Sequence, residues 1–246
     1  MRNAIIAALI SLACVSPASA QANLVRERAK PHVQTAWSLM REEAWADAAK
    51  SFQQAVDIDS SHENALYGLG LANMRLKNYA GAIAAYVRCR EVYREQAGKL
   101  FANRQDAQRY RQDRLTEIDE VIRQYQSGPQ TAGSQDRLRQ LQQQRRDVQE
   151  YINRGNNMSV ENSVPAFVSL ALGSAYFRTE QWAEAEREYK AAIASDSKSG
   201  EAYNNLAVLY LQTGRIKEAE ESVKAAERAG FKVHPQLKET IKAKAG

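Results

Sequence analysis

The side chains that most often carry out catalysis or bind metals are few and scattered in this chain. His32, His62 and His234 lie far apart, and none is followed three or four residues later by a second metal ligand. Gly68 and Gly70 lack the third glycine of a phosphate-binding loop, and no G-x-S-x-G nucleophile motif occurs. We therefore expect no metal, no cofactor and no catalytic residue, and we expect that the protein is not an enzyme.

Arginines recur between residues 88 and 114, and a basic helix of this kind can neutralise the phosphates of a nucleic acid. Glu91, Glu95, Asp106 and Asp113 are interleaved with them, which favours a surface of mixed ion pairs. The 246 residues include 34 basic and 29 acidic side chains, so the net charge is only +5. The sequence does not favour nucleic acid as a partner.

The first 20 residues have the three parts of a secretory signal peptide: a basic start at residues 1–3, an apolar segment at 4–15 and an A-x-A site ending at Ala20. We expect cleavage after Ala20 and a periplasmic or secreted protein, with an uncleaved anchor as the alternative. The mature chain has no apolar run long enough to cross a bilayer. Cleavage would leave Cys89 as its single cysteine, so no intrachain disulfide is expected.

Four segments of the chain repeat one pattern of large and small residues. In each segment a large residue, an alanine, a second large residue and a second small residue follow at spacings of three, four and three. This spacing places them on one face of a helix. Another small residue lies twelve positions before each alanine, and short side chains at both places let two antiparallel helices approach to about 8–10 Å. The alanines are Ala48, Ala82, Ala185 and Ala219, and their small counterparts are Ala36, Gly70, Gly173 and Ala207.

This pattern resembles the tetratricopeptide repeat, whose period is 34 residues. The resemblance implies an all-α fold, a right-handed solenoid of four helix-turn-helix repeats. Repeats 1 and 2 span residues 29–96, repeats 3 and 4 span 166–233, and a capping helix is expected at 234–246. Pro31 then falls in the first turn of the first helix. No copy has the usual repeat-ending proline, and repeat 1 is the weakest match.

Residues 97–165 lack the small-residue pattern and interrupt the array. Two apolar stripes in this insertion flank a Gly-Pro turn, which predicts a coiled-coil-like antiparallel helical hairpin. The stripes consist of Leu115, Ile118 and Ile122 on one side and Leu138, Leu141 and Val148 on the other. Since no proline lies between Tyr79 and Tyr125, we expect the second helix of repeat 2 to continue outward as an arm of roughly 70 Å. The alternative is a partly disordered insertion.

In the tetratricopeptide family, fixed positions of the first helix of each repeat line a concave binding groove. Carried over to this sequence, the resemblance implies a groove lined by Trp37, Arg41, Tyr67, Leu71, Met74, Arg75, Phe167, Phe177, Arg178 and Asn204. The recurring arginines have the chemistry to bind carboxylates or phosphates at the groove edge. The alternative is that the apolar members are simply buried between neighbouring helices.

These observations lead to two functional hypotheses. The first is a non-enzymatic adaptor of the cell envelope, which binds a peptide or helix of a partner protein in the concave groove. The second is a structural spacer that forms a homo-oligomer through the apolar stripe of the hairpin arm. The first needs an accessible groove, and the second needs an accessible stripe.

Overall fold

The computed structural model describes residues 17–98, 101, 104–127, 132–153 and 164–245. Within these residues the chain forms eleven α-helices and no strand. The helices are α1 (Pro17–Arg41), α2 (Trp45–Ile58), α3 (Glu63–Arg75), α4 (Tyr79–Gln96), α5 (Arg104–Ser127), α6 (Ala132–Asn153), α7 (Ala166–Arg178), α8 (Trp182–Ser195), α9 (Gly200–Gln212), α10 (Ile216–Arg228) and α11 (Pro235–Ala245). The predicted all-α solenoid of helical repeats is confirmed.

Four helix pairs, α1–α2, α3–α4, α7–α8 and α9–α10, form the repeats, and their turns share one geometry. Each turn places a residue in the left-handed region at the same register, with φ of 59° at Glu43, 59° at Lys77, 60° at Glu180 and 76° at Gly214. In each turn a backbone N–H donates to the carbonyl five residues earlier, as in Asn78 N to Asn73 O at 2.9 Å. This bond satisfies a terminal carbonyl of the first helix and directs the chain into the second.

The small residues lie where the two helices of a pair meet. The four alanines of the second helices, Ala48, Ala82, Ala185 and Ala219, are fully buried. A Cβ atom at Gly70 would lie 2.3 Å from the ring of Tyr86, and one at Gly173 would lie 2.7 Å from the ring of Tyr189. The glycines therefore make room for an aromatic ring of the partner helix, and close helix contact follows from the small-residue pattern.

The array is continuous across the insertion. Helix α4 of repeat 2 packs against α7 of repeat 3. The ring of Tyr67 meets the ring of Phe167 edge-on, with centroids 4.8 Å apart. Arg90 also forms an ion pair of 2.5 Å with Glu188, whose side chain is buried. Repeats 2 and 3 are thus direct neighbours, and the hairpin leaves and re-enters the solenoid at one place. At the far end α11 packs on α10 and buries Ile241.

The predicted continuous helix from repeat 2 into the arm is wrong. Helix α4 ends at Gln96, and Gly98 adopts the left-handed conformation with φ of 72°. A left-handed residue just after a helix commonly terminates that helix. Glycine suits this position because it has no Cβ to clash with the backbone. Helix α5 begins separately at Arg104 and packs back against α1.

Helix α1 differs from the prediction at its N-terminal end. The signal segment lies outside the described residues except for residues 17–20, which form the start of α1. The sequence predicts that Pro31 lies in the first turn of the first helix, but the helix begins at Pro17 and continues through Pro31. Proline has no N–H, so the carbonyl of Glu27 lacks its usual helical hydrogen bond from residue 31. The extension is held by Arg26, which pairs with Glu63 of α3 and Glu117 of α5.

Candidate partner-binding groove

Trp37 and Tyr67, two of the predicted groove residues of repeats 1 and 2, are covered by the hairpin of the same chain. Trp37 and Tyr67 are only 1% and 3% exposed. The ring of Trp37 touches Phe52 of α2 on one side and Tyr125 of α5 on the other, with centroid distances of 5.0 and 6.2 Å. The concave surface expected to receive a partner in this half of the array therefore already holds α5.

The apolar stripes of the hairpin face the repeats as well as each other. They form one hydrophobic core with the residues of repeats 1 to 3. Leu115, Ile118, Ile122, Leu141 and Val148 are buried in this core, and Leu138 is half-buried at its edge. The expectation of a projecting arm with a free apolar stripe is therefore wrong, because burial against the groove removes the stripe from solvent. These stripes are not exposed for self-association.

A buried ion network fastens α5 to the repeats. Glu63, at the start of α3, is 5% exposed and accepts hydrogen bonds from Arg26 and Arg114, each at 3.0 Å. Arg26 also donates two bonds of 3.1 Å to Glu117. Burial alone would raise the pKa of the Glu63 carboxyl, but the guanidinium groups of Arg26 and Arg114 outweigh it and lower that pKa to about 2. The carboxylate is thus fully charged at neutral pH and holds three helices together.

Further polar contacts follow α5 towards its C-terminal end. Gln34 donates to Glu120 at 2.7 Å, and Arg41 donates to Ser127 at 3.4 Å. On α4, the hydroxyl of Tyr93 accepts a bond of 2.8 Å from Arg114. Successive contacts between α1 and α5 involve later residues of both helices, so the two helices run in the same direction and α5 lies along the groove.

A large opening, which we call the cleft, lies beside the hairpin. It lies between α6, the beginning of α7 and the α8–α9 corner, and its volume is about 590 Å³. Its inner wall is aromatic and aliphatic and is buried or half-buried. This wall consists of Tyr93, Tyr110, Val148, Tyr151, Phe167 and Leu170.

The rim of the cleft is charged and mostly exposed, and it carries both signs. Helix α6 contributes Arg139, Arg146, Asp147 and Glu150, and the α8–α9 corner contributes Asp196, Lys198 and Glu201. Partial burial, together with the Asp196 carboxylate, raises the pKa of the Asp147 carboxyl. The two acids, one from the hairpin and one from repeat 3, therefore present negative charge from opposite walls of the cleft.

The remaining predicted groove residues do not join the cleft. Arg75 places its guanidinium 5.5 Å from the ring centroid of Trp45, and Phe177 packs against Trp182 with centroids 5.2 Å apart. Both contacts lie at the ends of helix pairs rather than in the cleft. Half-buried positions are occupied by Leu71, Met74 and Asn204, whereas Arg178 is exposed. Of the ten predicted residues, Phe167 is the one that lines the cleft.

The described residues contain no group of three or more His, Cys, Asp or Glu side chains arranged to hold a metal ion. Cys89 is buried, and its Sγ donates to the carbonyl oxygen of Glu63 at 3.4 Å. None of the helices in the described part of the chain combines the length and apolar character of a membrane span.

Several solved structures share the repeat architecture at low sequence identity. PilW, a widely conserved type IV pilus biogenesis factor, is 15% identical over 92% of this chain and 86% of its own, with a TM-score of 0.39. A thermophilic tetratricopeptide-repeat protein of Thermus thermophilus is 19% identical over 88% and 98%, with a TM-score of 0.35. YrrB, described as having an unusual peptide-binding site, is 15% identical over 94% and 99%, with a TM-score of 0.30. At these scores the likenesses carry no inference about the partner.

No curated protein matches this sequence. The sequence model of the tetratricopeptide repeat matches residues 33–89 and 170–230, which are the two blocks on either side of the insertion. Repeats of this family are protein–protein interaction modules. The family match, the four helix pairs and their shared turn geometry show that this chain belongs to the tetratricopeptide-repeat family.

Proposed function

We propose that this protein is a non-enzymatic interaction scaffold of the cell envelope, which binds a peptide or helix of a partner protein in the cleft. The observation that carries the proposal is the cleft itself. It is lined by the hairpin, by the beginning of α7 in repeat 3 and by the α8–α9 corner that joins repeats 3 and 4. Its volume of about 590 Å³ lies within the roughly 300–1,000 Å³ typical of ligand sites.

The chemistry of the cleft defines the kind of peptide that fits. An aliphatic or aromatic side chain of the peptide would pack against the inner wall beside Phe167 and Leu170. Removal of its apolar surface from water would favour binding. A basic residue next to it would meet Asp147 and Asp196, and an acidic one would meet Lys198. We infer a partner segment with one or two large apolar side chains flanked by charges of both signs.

Site-specific photo-crosslinking in living cells tests this proposal. A photoreactive phenylalanine is placed at Arg146 or at Glu201, which are exposed on opposite walls of the cleft. Lys224, exposed on α10 outside the cleft, is the matched control. We expect one protein to be captured from both cleft positions and not from Lys224, and the substitution Lys198→Glu to reduce its yield. Equal capture from Lys224, or no capture from either wall, would reject the cleft as the binding site.

The envelope location is a separate part of the proposal and is supported by the signal-like residues 1–20. Fractionation of the producing cell, followed by N-terminal sequencing of the protein recovered, tests it. We expect the protein in the periplasmic or extracellular fraction with Gln21 as its first residue. A chain that stays in the cytoplasm with its first 20 residues intact would contradict export.

A further inference from the structure

His62 is a buried histidine at the contact between the hairpin and the repeats. Of the three histidines of the chain, all of which the structure describes, His62 is 2% exposed, whereas His32 is half-buried and His234 is exposed. Its ring lines a cavity of about 20 Å³ between α1, the beginning of α3 and α5. The three helices that the Glu63 ion network joins are therefore the same three that surround this imidazole.

The equivalent place in the other block of repeats is occupied by a serine. In the α2–α3 and α8–α9 corners an aspartate side chain accepts a hydrogen bond from the backbone N–H two residues later, at 3.0 Å from Ser61 and at 2.9 Å from Lys198. His62 and Ser199 come next in the two corners, and each directly precedes the first helix of a repeat. Serine suits the position before a helix, so the shape of the corner does not require an imidazole.

The Nδ1 atom of His62 is buried and makes no hydrogen bond with any residue that the structure describes. Protonation would place a charged N–H at this atom, and a buried charge without an acceptor is costly. The carboxylates near the ring already accept hydrogen bonds from other residues: Asp59 from Ser61, Glu63 from Arg26 and Arg114, Glu117 from Arg26, and Glu120 from Gln34. A protonated ring would therefore compete for acceptors that hold the helices together.

Charged groups of both signs face His62 from every element around it. They are Arg26 and Lys30 of α1, Asp59 of the α2–α3 corner, Glu63 of α3, and Glu117 and Glu120 of α5. Burial of the ring lowers the pKa of the imidazole, and the Arg26 guanidinium lowers it further. The carboxylates of Glu63 and Glu117 act in the opposite direction but do not outweigh these two effects. The buried ring is therefore neutral at neutral pH.

We propose that His62 makes the attachment of α5 to α1 and α3 sensitive to acid. The neutral ring fits the packed contact, whereas the protonated ring brings a charge into it and weakens it. Since the pKa in the folded protein lies below the ordinary 6.5, this stability is present above about pH 6.5 and is lost as the pH falls below that value. Glu63 loses its contribution only below about pH 5, so the two effects occupy different ranges. The inference does not depend on binding in the cleft.

Hydrogen–deuterium exchange of the full chain at pH 7.5 and pH 5.5 tests the proposal, after correction for the pH dependence of the intrinsic exchange rate. We expect the protection of residues 104–127 in α5 to fall severalfold at pH 5.5, and that of residues 216–228 in α10 to stay the same. One group with an ordinary pKa of 6.5 in the open state can change the opening equilibrium by at most about tenfold between these pH values. In a nuclear magnetic resonance titration of the wild type, the imidazole of His62 should titrate below pH 6.5.

Two variants remove the titrating group: His62→Ser, which copies the residue at Ser199, and His62→Gln. The matched control is His234→Ser, which replaces an exposed histidine next to α11. Circular dichroism shows which variants retain their helices, and the titration of the wild type needs no variant. We expect the acid-dependent loss of protection in the wild type and in His234→Ser, and not in the His62 variants. An equal loss in the His62 variants, no loss in the wild type, or a His62 titration midpoint at or above pH 6.5 would overturn the proposal.

Discussion

Replacement of Glu63 by glutamine should weaken the attachment of the hairpin more than any single change on the surface of the molecule. The carboxylate is almost completely buried and binds Arg26 and Arg114, each at 3.0 Å. Glutamine keeps the shape but leaves two half-buried guanidinium groups without their shared counter-charge. Removal of one member of a buried ion pair typically costs about 3–5 kcal/mol. Because Arg26 retains Glu117 and Arg114 retains the Tyr93 hydroxyl, we expect the lower end of this range.

The lowered pKa of the Glu63 carboxyl expresses the same interaction as a pH dependence of stability. It is lowered from 4.5 to about 2 in the folded protein. A difference of this size corresponds to about 3 kcal/mol at 1.36 kcal/mol per unit. Since the folded-state pKa lies below the unfolded one, this stability is present above about pH 5 and is lost as the pH falls towards 2. Glu63→Gln should remove this part of the pH dependence.

Urea denaturation of the wild type and of Glu63→Gln at pH 7 and pH 3 measures both effects. The matched control is Glu95→Gln, whose partner Arg88 lies beside it on the exposed side of α4. An exposed pair of this kind contributes less than about 1 kcal/mol. A loss at pH 7 no larger in Glu63→Gln than in Glu95→Gln, with an unchanged pH dependence, would refute the assignment of a buried ion network.

Three other substitutions test the repeats, each by its effect on the free energy of unfolding in urea. Gly70→Ala should destabilise the protein by about 1–3 kcal/mol, because its Cβ would lie 2.3 Å from the Tyr86 ring; a neutral effect would mean that the helices of repeat 2 are farther apart. Lys77→Gly should stabilise it by about 1 kcal/mol, because φ at this turn is 59°, and a loss of stability would contradict the left-handed turn. Arg90→Met should cost about 3–5 kcal/mol by leaving Glu188 buried without its cation; a cost below about 1 kcal/mol would argue against direct stacking of repeats 2 and 3.

The helix pairs could be predicted from the sequence because their signal is local and repeated. Ala48 and Ala82 lie 34 residues apart in the chain, and each is buried against the helix that precedes it. A spacing of three and four residues specifies one face of a helix, and a small residue on that face specifies a close neighbour. That neighbour is the helix immediately before it in the chain, so no long-range information is needed.

The packing position of the hairpin could not be predicted from the sequence. Its apolar stripes indicate that one face of each helix is buried, but they do not indicate which surface covers that face. Leu115 and Ile118 have the spacing of a coiled coil, and the same spacing serves to bind a groove. The ion network that decides between the two joins residues remote in sequence: Arg26 lies 37 residues from Glu63 and 91 from Glu117. No motif connects them, and each alone is an ordinary charged residue of a helix.

The break at Gly98 could not be predicted for an energetic reason. A single glycine within a helix costs only about 1 kcal/mol relative to alanine, so its presence does not exclude a continuous helix. The apolar side chains that α5 buries in the groove together contribute more than this. Tertiary packing therefore decides the conformation at Gly98. Packing involves residues that are remote in sequence, so a local sequence pattern does not predict it.

The central claim is that the hairpin lies in the groove of repeats 1 and 2, and aromatic nuclear Overhauser spectroscopy on selectively labelled protein tests it most directly. The ring centroids of Trp37 and Tyr125 are 6.2 Å apart across the contact between α1 and α5, and those of Tyr67 and Phe167 are 4.8 Å apart across the repeat boundary. We predict cross-peaks for both pairs. A cross-peak between Tyr67 and Phe167 without one between Trp37 and Tyr125 would show an intact solenoid with its hairpin outside the groove, and would contradict the account.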